Sequence, residues 1–143
     1  MAATTYDPTK LNVIVGGVIV SGFSDGDFIT AKRDEDLYMK RVGADGHVAR
    51  ARNGNKSGTI EIKLLQSSPA VNELAALLAL DNFLHDGDKL VAITIASPGD
   101  GAELVATSSA WLKTPPEMIF GKEVGERVFV FDCADLKLSI GGL

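Results

Sequence analysis

The sequence contains little of what catalysis, metal binding or disulfide formation requires. Its 143 residues include a single cysteine, Cys133, so no intrachain disulfide can form, and only two histidines, His47 and His85. Neither histidine has a cysteine or a second histidine at metal-ligand spacing. The motifs of serine hydrolases, zinc proteases, phosphate loops and dinucleotide sites are also absent. We therefore expect a protein that is not an enzyme, with no catalytic residue, no metal site and no cofactor.

The sequence also lacks a long apolar run and an excess of positive charge. Its longest apolar stretch, residues 11–20, is half of the roughly 20 residues that a membrane-spanning helix needs. Residues 1–10 are polar and lack the apolar core of a secretion signal. The net charge of −5 is opposite in sign to that of proteins that grip nucleic acid. We expect a soluble chain, made in the cytoplasm, that binds neither a membrane nor free DNA.

The remaining candidates for local chemistry have structural explanations. Cys133 shares a predicted strand face with Phe129 and Phe131, which is typical of a small buried hydrophobic residue. The acidic stretch 25–27 is too incomplete for a calcium loop, because the fifth position of such a loop would be Ile29. Its glycine between two aspartates indicates a turn.

Frequent glycines between β-branched runs predict short strands joined by turns, within one domain that spans residues 1–143. Residues 1–8 are predicted to be a flexible arm. The pattern predicts a mainly β fold with one helix, as a sandwich or an open barrel. Strands are predicted over residues 11–20, 28–32, 37–42, 47–52, 58–65, 90–96, 103–113, 126–134 and 136–140.

Two of these segments and the helix carry the strongest local signals. Residues 11–20 are apolar on both faces, so both faces should be covered, and Gly16-Gly17 indicates a bulge or bend. Residues 58–65 alternate, with one face for the core and Glu61 and Lys63 on the other. The helix is predicted over residues 69–84, with Ser68 as its N-cap.

The segment between residues 32 and 56 differs in charge from the rest of the chain. It holds seven basic and four acidic residues, a net of +3, so the remainder carries −8. Within it, residues 37–52 form a predicted hairpin around an Asp-Gly turn, and this hairpin carries little apolar material. A lone two-stranded ribbon is marginal in water, so we expect it to gain order from a neighbour. A basic projection on an acidic body favours head-to-tail association, and a solvated hairpin with no partner is the alternative.

The stretch 6–46 resembles the tail tube proteins of contractile-tailed phages. The resemblance rests on the opening Tyr-Asp-Pro, the strand 12–20, the charged run 33–36 and the turn 42–46, and it continues through 58–68. It implies two packed antiparallel sheets flanked by a helix, hexameric rings with an inner β-barrel, and ring stacking through the protruding hairpin 37–52. The implied role is a virion structural protein that is assembled in the host cytoplasm.

The resemblance also implies contacts and partners. A surrounding sheath protein, an internal tape-measure protein, and capping and baseplate proteins would join the stacked rings, and DNA would pass through without specific binding. Glu61 and Lys63, on the polar face of the strand 58–65, are lumen-facing candidates, and ordinary exposure on the outer surface is the alternative. Candidates for the inter-ring contact are the five cations of the hairpin region: Lys40, Arg41, Arg50, Arg52 and Lys56.

Two other functions remain open at this stage. One is the tube of a tailocin or of a secretion-type contractile injection device, which neighbouring genes would distinguish from a phage tube. The other is a small β-sandwich adaptor or binding module, which would remain a monomer or dimer at high concentration, whereas a tube protein would form rings.

Overall fold

A computed structural model describes residues 5–79, 90–97 and 102–140. It contains one α-helix and ten strands in these ranges. The strands are β1 (Asn12–Val15), β2 (Val18–Ile19), β3 (Ile29–Arg33), β4 (Tyr38–Val42), β5 (Val48–Arg52), β6 (Gly58–Leu65), β7 (Val91–Ser97), β8 (Glu103–Thr114), β9 (Glu126–Cys133) and β10 (Lys137–Ser139). The helix α1 (Pro69–Ala79) lies between β6 and β7, and a 3-10 turn (Pro8–Lys10) precedes β1.

The strands form two antiparallel sheets, which confirms the predicted fold class with its protruding hairpin. The larger sheet has eight strands, seven of them in the order β2-β1-β7-β8-β9-β6-β3 with β10 as the eighth, and the smaller sheet consists of β4 and β5. β10 pairs with β8 in the same register as β9 does, so it continues the line of β9 after an interruption at residues 134–136.

The larger sheet curls, so that distant strands share one core. A single apolar cluster includes Val13 of β1, Ile93 of β7, Ile62 of β6 and Phe131 of β9. An open cavity of about 530 Å³ is lined both by Phe28, next to the edge strand β3, and by residues of β7 and β8. Strands this far apart in the sheet order reach one cavity only if the sheet bends around it, as in an open barrel.

The strand predicted over residues 11–20 is wrong as a single strand. β1 and β2 pair antiparallel, with Val15 opposite Val18, and the two glycines between them form the turn. Gly16 and Gly17 have φ of +56° and +88°, as the favoured two-residue hairpin turn requires at both central positions. The chain therefore reverses where a bend was expected, and Ile19 remains exposed instead of covered.

The other elements lie close to their predicted positions. β6 has the predicted bounds, and its side chains alternate between the core and the outer face. The N-cap is confirmed, because Ser68 Oγ accepts a hydrogen bond from the backbone N–H of Ala70 at 3.2 Å. The helix buries Leu74 completely. The predicted continuation of this helix to residue 84 lies outside the described residues.

Candidate assembly surfaces

Strands β4 and β5 form a hairpin that stands apart from the rest of the molecule. They pair with each other, from Tyr38 opposite Arg52 to Val42 opposite Val48, and all ten of their residues are exposed. In the described part of the chain they share no sheet with any other strand. This ribbon, residues 38–52, is called the basic hairpin below.

The basic hairpin carries more apolar surface than the sequence analysis expected. Its large apolar side chains are between 47% and 59% exposed: Tyr38, Met39, Val42 and Val48. Alternation places Met39 on one face and the other three on the opposite face, so neither face is purely polar. Apolar groups exposed on both faces of a two-stranded ribbon have no core of their own to cover them.

The hairpin cations lack carboxylate partners among the described residues. Lys40 lies directly opposite Arg50, and like charges at such positions are destabilising. The guanidinium carbon of Arg50 is 4.4 Å from the centre of the Tyr38 ring, a cation–π contact. The ion pairs in the described ranges are Lys63–Glu61 and Lys113–Asp132, both outside the hairpin. The hairpin therefore presents uncompensated positive charge.

Hydrogen bonds fix the base from which the basic hairpin projects. The carboxylate of Asp34 accepts hydrogen bonds from the hydroxyls of Ser57 and Thr59, each at 3.0 Å. Glu35 Oε2 accepts one from Asn53 Nδ2 at 2.8 Å, and this bond holds the pKa of Glu35 below its ordinary value. The residues just before β4 are thus hydrogen-bonded to the residues that follow β5. These bonds hold the two ends of the hairpin together at the point where it leaves the sheet.

The structure brings together four of the five predicted contact cations. Lys40, Arg41, Arg50 and Arg52 lie on the basic hairpin, with Arg41 on the face opposite to the other three. Lys56 is exposed in the return segment at the base, where its carbonyl accepts a hydrogen bond from the backbone N–H of Leu136 at 2.8 Å.

The two lumen candidates lie together on the outer face of the curled sheet. Glu61 and Lys63 occupy alternate positions of β6, opposite to the buried Ile60 and Ile62. Their side chains are about one-third exposed, and Lys63 Nζ is 3.7 Å from Glu61 Oε1. The pair is neutral overall, so this part of the outer face offers no excess positive charge.

The sequence analysis missed a second surface, the loop 115–125 between β8 and β9. Four of its apolar side chains are between 62% and 71% exposed: Met118, Ile119, Phe120 and Val124. The run Met-Ile-Phe after two prolines was the available signal, because it is apolar without the alternation of a strand. Exposed apolar side chains grouped in this way mark interaction surfaces.

The groups that the sequence analysis considered for chemistry lie apart from one another in the described residues. No group of three or more metal-ligating side chains occurs in residues 5–79, 90–97 and 102–140. Cys133 is buried, and burial raises the pKa of its thiol to about 11, so it is a poor nucleophile at neutral pH. No helix in these ranges is long and apolar enough to cross a membrane. His47 lies exposed in the turn of the basic hairpin, and His85 lies outside the described residues.

A curled antiparallel sheet with a projecting basic hairpin and a second exposed apolar loop is typical of a structural protein that assembles with other chains through these surfaces. Comparison with known families identifies the family of structural proteins to which the chain belongs. The profile of the family described as "Bacteriophage PhiTE tail tube protein" matches residues 9–141, and the chain belongs to that family. The predicted resemblance is thereby confirmed, and the protein is a structural component of a phage tail tube.

Individual relatives are consistent with this membership. The chain is 22% identical over 145 residues to "Structural protein ORF10" of Pseudomonas phage KPP10, covering 97% of this chain and 83% of that protein. Two structures of an extracellular contractile injection system, PVC, have the same fold. Its extended sheath/tube terminator has a TM-score of 0.62 at 11% identity, covering 96% of this chain and 99% of that one. Its extended sheath-tube complex has a TM-score of 0.59 at 10% identity, covering 95% and 92%.

Proposed function

We propose that this protein assembles into hexameric rings and that the rings stack to form the inner tail tube through which phage DNA is delivered. Family membership and the injection-system fold support this role. A tube needs each subunit to contact copies beside it and copies above and below it. Both sets of contacts must bury surface that the single chain leaves exposed.

The observation that carries the proposal is the basic hairpin. It exposes four cations and four large apolar side chains on a two-stranded ribbon that has little stability of its own. Docking on another copy would cover the apolar groups and supply carboxylates for the cations. A contact between two different surfaces of identical subunits propagates unless it closes on itself, which is the geometry of a stack. We assign Lys40, Arg41, Arg50, Arg52 and Lys56 to this inter-ring contact.

A conduit for DNA must not hold the DNA. Each phosphate that a lysine or arginine neutralises releases counterions and adds affinity, so a wall rich in free cations would slow passage. Outside residues 32–56 the chain carries −8, and the cation of Lys63 is paired with Glu61. We assign these two residues to the lumen, where a paired lysine grips phosphate less than a free one.

The proposed role brings further partners. The PVC sheath-tube complex contains a chain of this fold, and we propose that a sheath protein likewise surrounds the tube that this protein forms. A tape-measure protein inside the tube, capping and baseplate proteins at its ends, and assembly in the host cytoplasm complete the proposal.

Negative-stain electron microscopy of the purified protein tests the proposal. We expect rings with sixfold symmetry and tubes built from them. Changing Lys40, Arg41, Arg50 and Arg52 to Glu should abolish tubes and leave the fold intact, because exposed substitutions rarely cost more than about 0.5 kcal/mol. The control changes four exposed cations elsewhere to Glu, with the same shift in net charge: Lys10, Lys32, Lys113 and Lys137. A protein that stays monomeric at high concentration would overturn the proposal and favour an adaptor module.

A further inference from the structure

We infer that the basic hairpin of one subunit docks on a surface formed by residues 22–28 and 115–126 of a second copy in the adjacent ring. This surface is called the loop end below. The inference rests on the proposed stacking of rings and adds the acceptor for the hairpin, a second copy of this chain.

The basic hairpin and the loop end lie at opposite ends of one strand. The hairpin returns to the sheet at Gly58, the first residue of β6. At the other end of β6, the backbone N–H of Leu65 donates to the carbonyl of Gly22, and the backbone N–H of Gln66 donates to the carbonyl of Gly125, both at 2.9 Å. Seven residue steps along β6 separate the two ends by about 23 Å. Because the two surfaces lie at opposite ends of one strand, each subunit can insert its basic hairpin into one neighbour and bind the hairpin of another neighbour at its loop end.

The apolar part of the loop end is held in place before any partner arrives. Arg127 is 96% buried, and its Nη2 donates to the carbonyl of Ile119 at 3.3 Å. Its guanidinium carbon is 5.3 Å from the centre of the Phe120 ring. Gln66 Oε1 accepts a hydrogen bond from the backbone N–H of Gly125 at 3.2 Å. The buried Arg127 and the side chain of Gln66 thus fix this loop while its apolar side chains face outward. Because the loop is already ordered, less conformational entropy is lost when a partner docks on it.

The acidic part of the loop end matches the hairpin in charge. Ser24 Oγ donates to Glu126 Oε2 at 2.6 Å and joins the two segments into one surface. Segment 22–28 contributes two aspartates, and segment 115–126 contributes three glutamates and one lysine, a net of −4 for the surface. The basic hairpin, with four cations and Asp45, carries +3. Both surfaces also expose large apolar side chains, so burial and charge favour the same pairing.

A cross-linking experiment tests the pairing. Ala49→Cys is placed on the basic hairpin of one preparation and Met118→Cys on the loop end of another, and the two are mixed under mild oxidation. We expect disulfide-linked dimers from the mixture and few from either variant alone. The control pairs Ala49→Cys with Leu138→Cys, which lies beside Arg33 and Leu37 at the hairpin end of the subunit. Native Cys133 is buried and adds little background.

The outcomes separate the acceptor from the proposed function. Dimers that require Met118→Cys support the inference. Equal dimer formation with Leu138→Cys, or no dimers, overturns it. Rings and tubes in the microscope without the Met118 cross-link would leave the proposed tube intact and place the acceptor elsewhere. Cross-links without any ring would support the pairing and contradict the tube.

A charge exchange provides a second, independent readout. Reversing four exposed carboxylates of the loop end to Lys should cause loss of tubes: Asp25, Asp27, Glu117 and Glu123. Combining this change with the four hairpin reversals should restore tubes, because the complementarity returns with the opposite sign. Tubes that persist after the loop-end reversal would overturn the inference, as would a combined variant that is folded but forms none.

Discussion

Replacing Gly58 with alanine should destabilise the subunit, because this buried glycine lies where three strands meet below the basic hairpin. Gly58 pairs with Arg33 of β3 on one side and Cys133 of β9 on the other. A Cβ at this position would be 2.7 Å from the carbonyl oxygen of Lys32 and 2.9 Å from the Cβ of Leu136. Non-bonded carbon atoms prefer separations of about 3.5–4.0 Å. The carbonyl belongs to the backbone of the neighbouring strand, so relief requires that strand to move.

The expected cost follows from two opposing effects. Adding a methyl group to a well-packed core costs about 1–3 kcal/mol. Alanine also restricts the unfolded chain more than glycine does, and this effect stabilises the folded state by about 0.4–1 kcal/mol. We therefore expect Gly58→Ala to lower the free energy of unfolding by about 1–2 kcal/mol, since the steric effect exceeds the entropic one. For a chain of this size, that corresponds to a fall in Tm of about 3–8 °C.

Thermal unfolding followed by circular dichroism measures this effect. The measurement needs a concentration at which wild-type protein does not assemble, because assembly itself raises the apparent Tm. Gly54→Ala is the matched control, since Gly54 is exposed in the same return segment and a Cβ there would meet no atom within 4 Å. The control should keep or slightly raise the Tm. If Gly58→Ala unfolded at the wild-type temperature or above, the steric argument would be refuted.

Three further predictions concern the thiol, the hairpin base and salt. Burial raises the pKa of Cys133 from 9.0 to about 11, so its stabilising effect is complete below pH 9.0 and is lost as pH rises through 11. Urea unfolding should show wild-type stability falling relative to Cys133→Ala over this window, and parallel curves would contradict this. Asp34→Ala should leave the core folded but loosen the basic hairpin, because Ser57 loses the acceptor of its hydroxyl and Thr59 loses the nearer of two acceptors. Hydrogen exchange should be faster in residues 38–52 and unchanged in β9. Raising the salt concentration should lower the yield of tubes, because exposed charges are screened, and salt-independent yields would show that apolar burial alone drives stacking.

The sequence predicted those elements whose signals are local. β6 begins and ends where its alternation does, because each apolar residue of period two faces the core. Ser68 caps the helix as its position before Pro69 indicates. The basic hairpin follows from two runs around an Asp-Gly turn. In each case the residues that determine the structure lie within a few positions of one another.

The features that escaped prediction depend on distant partners or on ambiguous local signals. Two glycines in an apolar run are compatible with a bulge in one strand or with a turn that reverses the chain. The choice depends on long-range pairing, because β1 ends at Val15 in its ladder with the remote β7. The loop 115–125 has no period, and its anchor Arg127 is recognised only when its buried contacts are known. The strand predicted over residues 136–140 gave no indication of which side chains the rest of the fold covers, since Leu136 is buried whereas Ile140 is exposed.

The like-charged pair on the basic hairpin explains why a free subunit is incomplete in energetic terms. Lys40 and Arg50 face each other across two strands, and each such pair costs some tenths of a kcal/mol to about 1 kcal/mol in a ribbon that is already marginal. In the proposed stack, a partner surface of opposite charge would give both cations an attractive contact, so docking would gain more than with a neutral hairpin. The net charge of +3 on each basic hairpin would also weaken any arrangement that brings two of them together. In the proposed tube, this repulsion between hairpins would favour head-to-tail growth over closed pairs of subunits.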